Sequence, residues 1–334
     1  MSEGVPDGVP SGTAAGRLER HQVWLYLGAI GLGALLALVA PEAGDVLSVA
    51  LLPLLAVLIY ATFTQVPLAH LPSAARDGRF LGTILVANFV LIPAVVWALV
   101  QFVPPEDAVR LGVLLVLLVP CTDWFLTFSH LAGGDVARSI TVTPYLLILQ
   151  LVLLPLYLWL FLGETAIAVI GAGQVIGTFA GLIIVPLIAA GITQRLVERA
   201  ARPPVIAALG KAPIPLLAVV MLVITASELR TVLERVDLLP ILLVTFVGFL
   251  TISVALGYAL GRVVRLPVAQ ARTVVFSMST RNSFVVLPIA LALPAGAGVA
   301  VVVIVVQSLV ELIGMIVLVR LVPRLVRERD SVSV

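Results

Sequence analysis

Pro120-Cys121-Thr122-Asp123 interrupts an apolar run that extends from Leu111 to Phe128. Proline removes a backbone donor and clashes with the preceding turn, so a helix through this run must break there. The chain's only cysteine and an acid stand beside the break. In hydrocarbon such groups demand partners or a purpose. A second interruption, Ser279-Thr280-Arg281-Asn282-Ser283, separates the apolar segments Thr273–Phe276 and Phe284–Leu293. Two broken helices carrying charge at membrane depth are the sequence pointer to a transporter's binding site.

Composition places both interruptions in a membrane. Of 334 residues, 61% are hydrophobic and 11% charged, and mean hydropathy is +1.20, leaving too little polar surface to cover a soluble globule. With about 20 apolar residues per span, ten spans are predicted over 23–40, 46–63, 80–103, 109–130, 140–162, 170–192, 206–226, 238–261, 268–293 and 298–322. Residues 1–22 and 323–334 read as tails. The first 16, rich in Gly, Pro and Ser and without an apolar core, are expected to be disordered rather than a cleavable signal peptide.

Lysine and arginine divide unevenly between alternate sides of these spans. Sixteen fall on one side, and only Arg110, Arg230 and Arg235 on the other. Arg281 lies within the membrane and completes the 20 basic residues. The positive-inside rule then places both termini in the cytoplasm, in agreement with an even number of spans. Scattered loop charges of this kind, for a net charge of +2, give no stripe for nucleic acid.

Pro53-Leu54-Leu55-Ala56-Val57 in span two recurs as Pro215-Leu216-Leu217-Ala218-Val219 in span seven, and the broken spans four and nine are likewise five apart. An odd offset inverts the second copy, so residues 23–162 and 163–322 are expected to form two inverted five-helix repeats.

Three charges stand well inside spans: Asp123, Arg281 and Glu311. Each costs about 2.5–3.5 kcal/mol on insertion scales. Asp123 and Arg281 are expected to meet where the broken helices cross, either as a static pair or as part of the transport site. Glu311, with no base near it in local sequence, is a candidate proton carrier, the alternative being a neutral acid bonded to a neighbouring helix. Cys121 is either a small buried hydrophobe or, beside Pro120 and Asp123 at a half-helix end, a thiol suited to a soft metalloid. Thr122, Asn282 and Ser283 complete the candidate substrate site, with the helix-end amides of Asn282 and Ser283 offered to substrate oxygens.

Other chemistries lack their residues. The only lysine, in Gly210-Lys211-Ala212, makes no phosphate-binding loop. His21, His70 and His130 are too dispersed for a zinc site, so no metal or cofactor is expected. Gly134-Asp135, half of an intramembrane aspartyl protease motif, reads better as a turn.

From Cys121 to Asp135 the sequence CTDWFLTFSHLAGGD resembles the arsenite permease branch of the bile acid/sodium symporter superfamily. That branch has a cysteine at this point in its broken fourth span, followed at the same distance by a Leu-Ala-x-Gly-Asp turn. Leu309-Val310-Glu311 resembles the branch's functional glutamate in the last span. The resemblance implies a ten-helix inverted-repeat fold with a core domain, including spans four and nine, and a panel domain. It also implies export of trivalent arsenic or antimony across the cell membrane.

The sodium-coupled bile acid branch is similar around Arg272-Thr273-Val274 and Asn282-Ser283. There the family's sodium-binding glutamate falls on Ser277 and its glutamine on Arg281, while Ser139 and Thr143 match helix-five ligands. A fixed guanidinium beside such a site would supply the cation permanently, so sodium independence is expected. The alternative function is an organic-anion carrier that uses Arg281 to hold a carboxylate and needs no thiol.

Overall fold

A computed structural model describes residues 14–64, 77–122, 124–170, 177, 181, 184–199, 212–291 and 298–327. These residues are almost entirely helical. In chain order the helices are α1 (Ala14–Val39), α2 (Pro41–Ser48), α3 (Leu51–Phe63), α4 (Gly78–Val100), α5 (Asp107–Leu118), α6 (Trp124–Leu131) and α7 (Val136–Ile170). They continue with α8 (Val185–Arg199), α9 (Pro213–Glu234), α10 (Leu239–Val263), α11 (Val268–Ser279), α12 (Ser283–Leu291) and α13 (Gly298–Leu325).

Among the described residues five segments are long and apolar enough to cross a membrane unaided: Gly78–Val100, Val136–Gly163, Pro213–Glu234, Val236–Val263 and Gly298–Leu325. Apolar side chains on these helices face outward, such as Val152 (66% exposed), Val244 (69%) and Ile313 (63%). A surface like this belongs in lipid, and the protein is a multi-pass membrane protein. Expected spans two, four and nine are divided, as α2 with α3, α5 with α6 and α11 with α12. Nearly half of expected span six, including residues 171–176, lies outside the described residues. Helix α1 begins at Ala14, ahead of the expected start of span one at Val23.

The helices group into two compact units, one of residues 1–65 and 186–230, the other of 66–185 and 231–334. In the first, Gln194 on α8 donates to the carbonyls of Phe63 (3.2 Å) and Thr64 (2.9 Å), satisfying the C-terminal end of α3. Tyr60 and Thr193 share a hydroxyl hydrogen bond of 2.9 Å. Pro53 and Pro215, the matched prolines of the repeat, are each the third residue of their helix, α3 and α9. No intrahelical donor is missed at that position.

In the second unit α10 packs along α11, and α13 packs along α5 and α10. Gly257 permits the close approach of α10 to the α11 backbone, since a Cβ there would lie 2.8 Å from Val275 Cα. Backbone cannot swing aside as a side chain can. Gly257→Ala is therefore expected to destabilise this unit by about 1–3 kcal/mol, read as a lowered melting temperature of the purified protein.

The turn between α6 and α7 is shaped by Gly133 (φ 70°) and by Gly134, whose Cβ would lie 2.1 Å from Ser129 Oγ. Asp135 caps α7 by accepting from Arg138 N–H (3.1 Å) and pairs with Arg138 Nη1 (2.7 Å). Gly134-Asp135 is thus a helix-starting turn. Asp77 caps α4 and accepts from Arg138 Nε at 2.5 Å. Burial would push the Asp77 carboxyl up, but the bonds from Arg138 and from Phe80 N–H hold it below the usual carboxylate range.

Candidate functional site at the crossing of two broken helices

Helix α5 stops at Leu118 and α11 at Ser279 because the next residues are extended: Val119 has φ −102°, ψ 109° and Thr280 has φ −98°, ψ 136°. The two extended breaks pair antiparallel at Pro120 and Arg281. Cys121 N–H donates to Thr280 O (3.3 Å) and Asn282 N–H to Val119 O (2.8 Å). Each break thus supplies the partners the other lost on leaving the helix, the condition for irregular backbone at membrane depth.

Half-helices α6 and α12 begin directly after these breaks. Trp124 N–H, at the first turn of α6, donates to Cys121 Sγ at 3.3 Å. Asn282 Oδ1 caps α12 through Val285 N–H at 3.2 Å. The Asn282 N–H, expected to face substrate oxygens, donates to Val119 O in this structure. Only the Asn282 side-chain amide nitrogen is left to offer.

Arg281 is 2% exposed and enclosed by oxygen. Its Nη2 donates to Asn88 Oδ1 (2.8 Å), Ser277 O (2.7 Å) and Met278 O (3.0 Å), and its Nη1 to Leu117 O (3.4 Å). The guanidinium also lies 5.6 Å from the centroid of the Phe249 ring, a cation–π distance. Asn88 sits in a π-helical turn, Ala87–Leu91, within α4, and Tyr157 OH donates to the Phe89 carbonyl of that turn (2.6 Å). Asn88 Nδ2 bonds Ser277 Oγ at 2.9 Å. Asp123, the expected partner of Arg281, lies outside the described residues.

Glu311 comes to the same place from α13. Its Oε2 accepts from Arg281 N–H (3.0 Å) and from Gln307 Nε2 (2.5 Å), and Ser283 Oγ bonds Gln307 Oε1 (2.7 Å). A chain of polar groups therefore links the start of α12 to the carboxylate. Local sequence shows no base near Glu311, yet tertiary structure brings the Arg281 main chain onto it. Ser139 and Thr143 are buried in α7, where their hydroxyls donate to the carbonyls of Asp135 and Ser139.

Four buried polar atoms around the crossing have no hydrogen-bond partner among the described residues: Thr122 Oγ1, Arg281 Nε, Asn282 Nδ2 and Glu311 Oε1. Buried polar groups are nearly always satisfied, so these exceptions make the crossing a candidate binding site. Asn88 and Gln307 are the members that sequence reasoning did not single out. Their one signal is an amide alone in an apolar span.

The model for the sodium bile acid symporter family matches residues 52–235, more than half of the chain. The chain belongs to that family. Its members are transporters, so the crossing belongs to a membrane transporter for a small molecule and not to an enzyme. The matched region contains the first break with Cys121 and ends before the second break and Glu311. Comparison with curated proteins gives no match.

Proposed function

We propose that this member of the family is a proton-linked exporter of arsenite or antimonite, built of ten spans in two inverted repeats, in the cell membrane with both termini cytoplasmic. The observation that carries the substrate is the mixed character of the unpartnered atoms. Arg281 Nε and Asn282 Nδ2 are donors, Glu311 Oε1 is an acceptor, and Thr122 Oγ1 serves as either. A neutral trihydroxide of trivalent arsenic or antimony needs both donors and acceptors.

Cys121 supplies the soft ligand. In the forward step a sulfur–arsenic bond forms and one hydroxide leaves with the thiol proton as water; release reverses it. The Trp124 N–H aimed at Sγ places the positive end of α6 beside a sulfur that carries charge during exchange.

An organic anion would need donors only. The Nη atoms of Arg281 are occupied by protein oxygens, which argues for the guanidinium as an internal cation and against its use as a carboxylate clamp.

The test is arsenite survival and cellular arsenic content in an efflux-deficient bacterium expressing wild type or Cys121→Ala at matched protein levels. Wild type is expected to protect and to lower cellular arsenic, and Cys121→Ala to do neither. Absence of protection by well-folded wild type overturns the metalloid reading. Anion-competed uptake that survives Cys121→Ala but not Arg281→Ala would put the carboxylate carrier in its place.

A further inference from the structure

The C-terminal end of α10 closes with two backbone bonds, Leu266 N–H to Gly261 O (2.9 Å) and Arg265 N–H to Arg262 O (3.1 Å). This is a Schellman motif, and the residue it forces into the left-handed region is normally glycine. Here it is Arg265, with φ 55°, the only described non-glycine residue with positive φ. Strain of this kind persists where the residue has a use that glycine would not serve.

Arg265 lines a cavity of about 620 Å³ together with Arg262 and Arg327. No carboxylate is among the described residues that line it. Arg262 is held over the Tyr258 ring, 5.6 Å from its centroid, and donates to Tyr258 OH at 2.7 Å. The phenol accepts that bond and keeps its own proton to donate. Arg79 Nη2 reaches the Arg265 carbonyl at 3.3 Å and adds a fourth cation at the turn.

Guanidinium forks match phosphate oxygens, and three arginines line this one concavity. The remaining wall is apolar, with Leu266 and Leu325, and the neighbouring Val263 is exposed. Basic pockets between helix ends with an apolar flank suit a lipid headgroup whose chains run into the bilayer.

We propose that this cavity, formed by the ends of α10 and α13 and the start of α11, binds the phosphate of an anionic membrane phospholipid. The site is separate from the crossing and its occupancy is read without substrate. Purified full-length protein in neutral detergent is titrated with phosphatidylglycerol, with phosphatidylcholine, and with soluble glycerol phosphate, while melting temperature and bound lipid by native mass spectrometry are followed.

Phosphatidylglycerol is expected to bind and to raise the melting temperature saturably, and the other two to have little effect. Affinity should fall about fivefold for each arginine removed in Arg262→Gln with Arg327→Gln. Arg265→Gly relieves the strained turn, so it should melt no lower than wild type without lipid and still bind phosphatidylglycerol about fivefold more weakly. That single change keeps the test valid if the double variant does not fold. Equal stabilisation by phosphatidylcholine, or an unchanged phosphatidylglycerol response in Arg265→Gly, overturns the proposal. Stabilisation by glycerol phosphate at the same concentration also overturns it, in favour of a soluble phosphate ligand.

Discussion

Arg281→Gln should destabilise the unit that holds the crossing by about 3–5 kcal/mol, the usual cost of removing one side of a buried charged set. The guanidinium serves Asn88 Oδ1 and the carbonyls of Leu117, Ser277 and Met278 at once. A shorter neutral amide leaves several of these acceptors buried without donors, at about 1–3 kcal/mol each. Arg281→Lys keeps the charge but not the fork, and should fall between glutamine and wild type.

The same oxygens are hard donors suited to a small cation. Wild type is therefore expected to melt at the same temperature in sodium and in choline salts, because its cation is covalent. In Arg281→Gln sodium should recover stability, by about 1.4 kcal/mol at ten times its dissociation constant. Sodium-dependent melting of wild type would sink the built-in cation reading. An Arg281→Gln protein as stable as wild type would sink the cage itself.

Glu311→Gln is the second large effect, and it falls on transport and not on folding. Glutamine is isosteric: its carbonyl can take the bonds from Arg281 N–H and Gln307 Nε2 that Glu311 Oε2 accepts. Its NH₂ occupies the place of Oε1, which has no partner among the described residues. The fold should survive while the exchangeable proton is lost. In everted vesicles, arsenite accumulation driven by a pH gradient should drop about tenfold or more, equivalent to about 1.4 kcal/mol or more. Downhill exchange should be less affected. Glu311→Ala removes both accepted bonds and should also lower the melting temperature. Full pH-driven accumulation by Glu311→Gln would remove Glu311 from the proton path.

Helix interruption at Pro120 and at Thr280–Asn282 is legible in sequence because it is local. A proline, or a run of small polar residues, changes which backbone bonds can form within four residues. Cys121, Arg281 and Glu311 stand out for the same kind of reason, as a thiol and charges where hydrocarbon surrounds the chain. The order of the apolar spans and the membrane class follow from composition over windows of about 20 residues.

What each group touches was settled only in three dimensions. Arg281 bonds Asn88 across 193 residues of sequence, and its main chain meets Glu311 across 30. No local pattern encodes such a pairing, because many polar partners satisfy a buried guanidinium equally well and only the packed path of the helices selects one. The mutual repair of the two breaks, the π turn that presents Asn88 and the gathering of Arg262, Arg265 and Arg327 around one cavity are of this kind. Apolarity, which the sequence alone carries, determined that the chain enters a membrane, and the local proline and polar runs determined where its helices break. The tertiary structure decided which buried groups satisfy one another and which are left without a partner among the described residues, since hydrogen bonds are directional and short-ranged whereas hydrophobic burial is neither.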